Sequence, residues 1–202
     1  MNWFGLDSLR QINRLREVLV VLVRYGFGEL VQQLRLGRFL PWGRRVRDRS
    51  GGRTTAERVR LVCEELGPSF IKIGQILSTR PDLLPPEWIE ELSRLQGRVW
   101  PIPFADIEAE LVAAWGEEGW HRLRAFEHEP IATASIAQVH RGVLPDGTEV
   151  AVKVRRPGIE EQVETDLAIL QRLAKLAADY IPDIARHDPV RVAEEFSRSF
   201  RA

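Results

Sequence analysis

The spacing of apolar residues changes twice along this 202-residue chain, and this limits its fold more than any other feature. Up to about residue 115, apolar residues recur every three or four positions, which is the period of an amphipathic helix. From Ala125 to Val154 the period becomes two, which is typical of half-buried strands. Helical spacing then returns from residue 159. The sequence therefore predicts an α+β fold in which a short block of strands interrupts a mainly helical chain.

The alternating block divides into three predicted strands, Phe126–Ile131, Gln138–Leu144 and Glu149–Val154. Pro145-Asp146-Gly147 lies between the second and the third, and this combination is typical of a tight turn. Short connections join antiparallel neighbours. We therefore expect a three-stranded antiparallel sheet.

Residues 1–42 carry an amphipathic helical pattern that Gly26 and Gly28 interrupt, which predicts a helical hairpin. Such a hairpin either packs on the body of the protein or docks on a membrane surface or a partner, and both interpretations stay open. A quinone- or lipid-binding role for the apolar helices at 1–40 and 85–115 is a further alternative.

Further helices are predicted from their start and stop signals. Thr54 or Thr55 can cap the next helix, and Ser69 can cap one that begins at Phe70. The last helix starts at Asp188-Pro189 and is still amphipathic where the sequence ends, so the sequence looks cut within an element. The remaining predicted helices cover residues 85–97, 104–115 and 159–180.

Composition excludes several classes of protein. A single cysteine, Cys63, excludes an intramolecular disulfide framework and a Cys-cluster zinc site, and the four His have no metal-ligand spacing. No metal site is therefore expected in this chain. The apolar run from Val18 to Val23 is shorter than the roughly 20 residues that cross a bilayer, and no signal peptide is recognisable.

The net charge of zero hides an asymmetry. Residues 1–60 contain 13 Arg, no Lys and 5 acidic residues, a net charge of about +8, and the remainder is about −8. An anionic surface therefore suits only the first part. Residues 43–53 form a basic linker with little aromatic content and no binding motif, so nucleic acid is not an expected partner.

Lysine is scarce, because 26 of the 29 basic residues are Arg and only Lys72, Lys153 and Lys175 are Lys. A compact ammonium differs from a guanidinium where a tight site must hold an oxyanion, although codon bias explains the count equally well. Lys153 stands in the third predicted strand between two valines. Burying it there is costly without an anionic partner, and a surface position on an edge strand is the alternative.

Two further segments attract attention. Residues 130–138 form a predicted loop of small side chains without glycine, suited either to a phosphate cradle or to a tightly packed turn. Gly74 lies within a predicted helix, where glycine costs roughly 0.5–1 kcal/mol relative to alanine. This cost indicates that another backbone or a ligand comes close. Lys72 and Gln75 share one face of the same helix.

Three motifs follow one another along the chain. The first is Lys72-Ile-Gly-Gln75 followed by Ser78-Thr-Arg-Pro-Asp-Leu-Leu-Pro85, the second is Ala132-Thr-Ala-Ser-Ile-Ala-Gln-Val-His140, and the third is Ala151-Val-Lys-Val-Arg-Arg-Pro-Gly158. Together they resemble the UbiB/AarF atypical kinase-like family. The second is similar to the alanine-rich nucleotide loop of that family and the third to its third strand. The resemblance runs from about residue 55 to the C-terminus.

The resemblance implies a helical N-terminal extension followed by an incomplete protein-kinase-like small lobe that binds ATP with Mg²⁺. It implies that Lys72 and Gln75 reach into the active site and that Lys153 contacts the phosphates. The helix from Asp188 would be the αC equivalent, with Glu194 or Glu195 as a partner of Lys153. The residues implied to contact the nucleotide are Ala132, Thr133, Ala134, Ser135, Ile136, Ala137, Val139 and Lys153.

The resemblance also implies an organisation and a role. Residues 1–53 would be a basic helical segment and linker. Residues 54–122 would be the helical extension that contains the Lys72-Ile-Gly-Gln75 signature, and residues 123–202 would be the small lobe, truncated within the αC-like helix. The implied role is an atypical kinase or ATPase that supports ubiquinone biosynthesis or membrane lipid homeostasis, in the cytoplasm and peripheral to the inner membrane. Its expected partners are a nucleotide, a membrane surface or quinone-biosynthesis proteins, and a second copy in a homodimer.

One departure from the family limits the expected activity. The sequence contains no catalytic-loop Asp followed by Asn and no Asp-Phe-Gly-like metal site, which place Mg²⁺ for phosphoryl transfer. The Mg²⁺ ligands are expected in the large lobe, and this chain alone is expected to be inactive. A non-catalytic module that docks on a membrane or partner is the alternative.

Overall fold

The computed structural model describes residues 9–40, 48–95 and 101–201. It divides the chain into two compact units, one formed by residues 1–95 with 160–202 and the other by residues 96–159. We call them the helical unit and the sheet unit. Helices and a three-stranded antiparallel sheet confirm the predicted α+β class. The division of the sequence into three functional segments stays a prediction.

The helices and strands follow the predicted order closely. Short 3₁₀ helices occur at Gly37–Phe39 and Glu117–Arg122. The α-helices are α1 (Leu9–Arg24), α2 (Gly28–Gln33), α3 (Thr55–Leu66), α4 (Pro68–Leu77), α5 (Pro86–Ser93), α6 (Phe104–Trp115), α7 (Ile159–Tyr180), α8 (Pro182–Ala185) and α9 (Pro189–Arg201), and the strands are β1 (Ala125–Thr133), β2 (Ala137–Val143) and β3 (Glu149–Arg155).

The start of α3 confirms one of its two predicted caps, whereas the start of α4 differs from the predicted one. Thr54 is the N-cap of α3 and forms a capping box, because its hydroxyl accepts from the Glu57 amide and the Glu57 carboxylate accepts from the Thr54 amide. Helix α4 begins at Pro68, with Gly67 as its N-cap at φ +91°. Ser69 is therefore a buried helical residue, and its predicted capping role is wrong. A proline at the first helical position needs no amide partner.

The apolar face of α1 contributes to the core of the helical unit. Leu15, Val18 and Leu19 are buried, and Val18 belongs to a cluster that includes residues of α3, α4, α5, α7 and α9. Arg24 at the end of α1 and Tyr25 bind the carboxylate of Glu65 on α3. The hairpin therefore packs on the body of its unit, as one of the two interpretations of residues 1–42 predicts.

A buried ion pair joins three helices of this unit. Arg14 Nε donates to Asp166 Oδ1 on α7 at 2.7 Å, and its Nη2 donates to the carbonyl oxygen of Leu66 at the end of α3, also at 2.7 Å. The side chain of Asp166 is 0% exposed and that of Arg14 is 13% exposed. Removing one member of such a pair leaves a buried charge without compensation.

The sheet unit contains α6 and the strands in the order β1-β2-β3, with antiparallel neighbours. The turn after β2 has Gly147 at φ +91°, a conformation that favours glycine, and the Thr148 amide donates to Asp146 Oδ1. Ile107 and Leu111 of α6 form a core cluster with Val154 of β3. One face of the sheet is thereby covered.

Candidate functional site

Three of the predicted site residues form a row across one face of the sheet. Ala132 of β1 pairs with Val139 of β2, and Val139 pairs with Lys153 of β3. Directly paired residues of antiparallel strands project to the same face. Ala132 and Lys153 are exposed and Val139 is half-buried, so this row lies on the open face of the sheet unit.

The opposite face is closed by a chain of buried hydrogen bonds. The Ile102 amide donates to Gln138 Oε1 at 2.7 Å, and Gln138 Nε2 lies 3.1 Å from His140 Nε2. His140 Nδ1 lies 2.9 Å from the Glu127 carbonyl oxygen. Because the NH₂ group of Gln138 can only donate and the carbonyl oxygen can only accept, Nε2 accepts and Nδ1 donates in these two hydrogen bonds. The polar side chains of this face therefore stabilise the fold and are not available to a ligand.

The Lys153 ammonium is exposed, and among residues 9–40, 48–95 and 101–201 it makes no hydrogen bond or ion pair. Arg141, on the same face, instead pairs with Glu127 and Glu149. A positive charge without a protein partner is available to an anion. The row therefore ends in a free cation, which is the expected position for a residue that contacts phosphate oxygens.

The small-residue loop is shorter than predicted, because the two strands continue into it. Only residues 134–136 lie between β1 and β2, whereas the sequence predicted a loop over 130–138. The register slips between Pro130 and Ala132, so that a bulge at the exposed Ile131 lets β1 extend to Thr133. The predicted nine-residue cradle is therefore a three-residue turn.

Arg156 ties this turn to the end of β3. Its backbone amide donates to the Ile136 carbonyl oxygen at 3.1 Å, and its Nη2 donates to the Ala134 carbonyl oxygen at 3.3 Å. Sequence reasoning missed this role, although Arg156 lies within the third family-like motif. The turn residue Ser135 is only 2% exposed, whereas Ala134 is exposed.

The other residues predicted to contact the nucleotide differ in the face of the sheet that they occupy and in their exposure. Ala137 pairs with Arg155 and shares the face of Lys153, but it is 1% exposed. Thr133 pairs with Gln138 and therefore projects to the covered face. The contacts of Thr133, Ser135 and Ile136 with a nucleotide stay predictions.

In the helical unit, Gly74 and Gln75 of the first family-like motif take part in the packing of α4. A Cβ atom at Gly74 would lie 2.3 Å from Leu95 Cδ1 and 3.6 Å from Cys63 Sγ. Gln75 Nε2 donates to the Leu95 carbonyl oxygen at 3.1 Å. The close neighbour of Gly74 is therefore the side chain of Leu95, just after α5, and not the backbone or ligand that the sequence predicted. Burial raises the pKa of the Cys63 thiol to about 12, so this cysteine is chemically inert.

Lys72 is half-buried on α4 and has no hydrogen-bond or ion-pair partner within the described part of the chain. It belongs to the helical unit and Lys153 to the sheet unit. The predicted meeting of Lys72 and Gln75 with Lys153 at one active site stays a prediction.

The motif after α4 forms an ion-pair cluster that sequence reasoning missed. Arg80 Nε and Nη2 donate to Asp82 at 2.8 and 2.7 Å, and Arg80 Nη1 donates to Glu195 Oε2 on α9 at 2.9 Å. The hydrogen bond from Arg80 lowers the pKa of Glu195 below its ordinary value of 4.5. One of the two glutamates suggested as partners of Lys153 is thus bound to Arg80. Glu194 is exposed.

The described residues include neither a candidate metal cluster nor a candidate membrane span. No group of three or more His, Cys, Asp or Glu residues there is arranged to hold a metal ion. No helix in that part of the chain has the length and apolar character needed to cross a membrane.

Comparisons with known proteins place the chain in a family. Residues 94–202 match the ABC1 atypical kinase-like domain. A Clostridium pasteurianum protein, described as an uncharacterized protein in the hydrogenase 1 5' region, is 42% identical over 184 residues, covering 91% of this chain and 32% of that protein. A probable protein kinase UbiB from Aeromonas salmonicida is 39% identical over 199 residues, covering 94% of this chain and 36% of that protein.

A solved structure, the complex of Rv3197 with erythromycin from Mycobacterium tuberculosis, is 32% identical. It matches 63% of this chain and 33% of the other, with a TM-score of 0.39. The chain spans about a third of the length of the first curated relatives that it matches. The domain match covers more than half of the chain, including the whole sheet with its row of Ala132, Val139 and Lys153. The similarity to proteins named UbiB agrees with this match. This chain therefore belongs to the ABC1 atypical kinase-like family.

Proposed function

We propose that the sheet unit is the nucleotide-binding part of a UbiB-like atypical kinase or ATPase, and that the Lys153 ammonium binds ATP phosphate oxygens. The observation that supports this most is the row of Ala132, Val139 and Lys153 on the open face of the sheet. It combines a flat apolar surface with one uncommitted positive charge.

The side chains of the row suit this ligand. Alanine at position 132 leaves room for a bulky group against the sheet, and the half-buried Val139 offers apolar contact to a base or sugar. The ammonium of Lys153 stands next to Val139 on the edge strand, where it supplies charge-assisted hydrogen bonds to oxygen atoms. In kinases a lysine on the third strand has this role.

Binding and phosphoryl transfer are separate requirements. Mg²⁺, when bound, would neutralise the charge of the phosphate oxygens during transfer. The residues of the row bind and orient the nucleotide but include no carboxylate to hold that ion. We therefore expect this chain alone to bind ATP without transferring its phosphoryl group.

The proposed role of the whole protein follows its relatives and the family resemblance. Several relatives are named probable protein kinase UbiB. We propose support of ubiquinone or another isoprenoid-quinone pathway, or of membrane lipid homeostasis, at the cytoplasmic side of the inner membrane. Residues 1–60, with a net charge of about +8, would meet the anionic surface, and a homodimer is part of this proposal.

A non-catalytic docking module is the second candidate. The positive charge of residues 1–60 favours it, because an anionic membrane or an acidic partner would attract this segment whether or not nucleotide binds. Lys153 distinguishes the two candidate functions, because nucleotide binding needs its ammonium and membrane or partner docking does not.

Calorimetric titration of the 202-residue chain with MgATP tests the first candidate. A charge-assisted hydrogen bond contributes about 1.5–3 kcal/mol, so Lys153→Ala is expected to weaken binding roughly 10- to 100-fold. Lys153→Arg is also expected to weaken it, because a planar guanidinium does not replace a compact ammonium. Lys175→Ala on α7 is the matched control, since it removes the same charge from an exposed position in the helical unit. Equal affinity in all four proteins, or no binding, would reject the nucleotide role.

A further inference from the structure

The helical unit contains a cavity of about 460 Å³ that the nucleotide proposal does not use. Its walls come from α1, α2, α3, α4, α7, α8 and α9 and from the turn at residues 82–84. Ligand-binding cavities typically have volumes of about 300–1,000 Å³, so the size fits a small organic molecule. The cavity lies wholly within one compact unit.

The floor of the cavity is apolar and shielded from solvent. Lining residues from four different helical segments are 1–4% exposed, namely Val18, Leu34, Leu66 and Ala193. Of all the residues that line the cavity, only Asp82 and His187 are polar or charged, and both are exposed, which places them at its mouth. Ordered water needs two to four polar partners, and this floor offers none.

The family-like motif after α4 builds one wall of the cavity. Leu83 and Leu84 line it, and Arg80 fixes their turn by bonding Asp82 on one side and Glu195 of α9 on the other. The facing wall is α9 itself, through Val192 and Ala193. The ion pairs therefore hold two walls of the apolar cavity together, which gives the residues after α4 a structural role.

The mouth limits the chemistry of the occupant. Asp82 already accepts three hydrogen bonds from Arg80, and its carboxylate disfavours an anionic group beside it. The His187 side chain makes no hydrogen bond within the described ranges, and an imidazole can donate to or accept from a hydroxyl group. An apolar body with one uncharged polar end matches both the floor and the mouth.

We propose that this cavity binds an uncharged single-chain amphiphile, with its hydrocarbon chain against α1, α3 and α9 and its hydroxyl group near His187. This site is separate from the nucleotide row and does not depend on it. Because the two sites lie in different units, either proposal can fail without the other.

Fluorescence titration of the chain with N-phenyl-1-naphthylamine, an uncharged apolar dye, tests the proposal. We expect saturable binding of one dye per chain and displacement by 1-dodecanol. Filling the cavity with Ala193→Phe or Ala174→Leu should weaken dye binding at least about tenfold, which corresponds to about 1.4 kcal/mol. Ala114→Leu on α6 is the control, because this alanine is exposed and outside the cavity.

Thermal unfolding of each variant shows whether a loss of dye binding comes from the filled cavity or from a loss of the fold. The two filling variants lie on different helices, so that one remains informative if the other does not fold. Unchanged dye affinity in a folded filling variant would overturn the proposal. Equal displacement by dodecanoate and 1-dodecanol would overturn the uncharged head group. If sedimentation shows a dimer that both filling variants dissociate and no dye binds, a second copy occupies the cavity and the proposal is wrong.

Discussion

Both units contain polar residues that the fold satisfies, but the two units differ at residues of the family-like motifs. In the helical unit, Gln75 bonds the Leu95 carbonyl, and Arg14 is paired with the buried Asp166. In the sheet unit, Lys153 stands on an open face with no partner in the described part of the chain. A polar group satisfied within the fold is explained by stability, whereas an ordered, unpaired charge is available to a ligand.

Lys72 differs from the other polar residues of the helical unit that are named above. It lies in the helical unit beside residues that serve packing, yet it is half-buried and unpaired among the described residues. By the same reasoning, Lys72 is available to a ligand, whereas Gly74 and Gln75 serve the packing of its helix. The role of Lys72 at an active site stays a prediction.

The largest effect is expected at the buried ion pair. Arg14→Ala leaves the Asp166 carboxylate, which is 0% exposed, without its partner. Such a loss costs about 3–5 kcal/mol. Urea unfolding should show this loss, whereas Arg16→Ala, at an exposed position of the same helix, should change the free energy of unfolding by less than about 0.5 kcal/mol. Similar small losses in both variants would mean that this pair does not stabilise the unit.

An intermediate effect is expected at Gly74. The Cβ atom of Gly74→Ala would lie 2.3 Å from Leu95 Cδ1, and Leu95 is 1% exposed, so the neighbour has little space to move. Overpacking of this kind costs about 1–3 kcal/mol.

Gly28→Ala is the matched control, because it has open space within 4 Å of its Cβ position in α2 and should be neutral or slightly stabilising. The opposite order of these two free energies of unfolding would show that Gly74 is not a packing residue.

The smallest effect concerns pH. Arg80 lowers the pKa of Glu195 from its ordinary value of 4.5, so the ionised carboxylate favours the folded state. This contribution is fully present above pH 4.5 and is lost as the pH falls through the lowered folded-state pKa. Glu195→Gln should therefore flatten the pH dependence of the unfolding free energy in this acid range. Parallel curves for the wild type and the variant would contradict the Arg80–Glu195 interaction.

Local signals predicted the regular elements well. The predicted helix over 104–115 and that over 159–180 coincide with α6 and α7, because apolar period and flanking Gly or Pro act over a few residues. Both Thr54 and Thr55 were possible caps of α3, and the capping box of Thr54 with Glu57 was not predicted. The same local reasoning placed the start of α4 wrongly.

Contacts between distant residues could not be predicted. Arg80 and Glu195 are 115 residues apart, and no periodicity indicates that they meet. The bulge that lengthens β1 depends on its register with β2, which a single strand does not specify. At the candidate site, residue type alone drew attention to Lys153, but only the register shows that Val139 lies beside it and that Ala132 lies beside Val139.

The central claim, that the Lys153 ammonium contacts nucleotide phosphates, can be tested directly because the chain has only three lysines. An acyl phosphate of ATP transfers its acyl group to a lysine amine next to the phosphates and releases ATP, and peptide mass spectrometry identifies the modified residue. We expect preferential modification of Lys153, suppressed by excess MgATP, with Lys175 at the background level. Modification of Lys153 at the rate of Lys175, unaffected by MgATP, would contradict the claim.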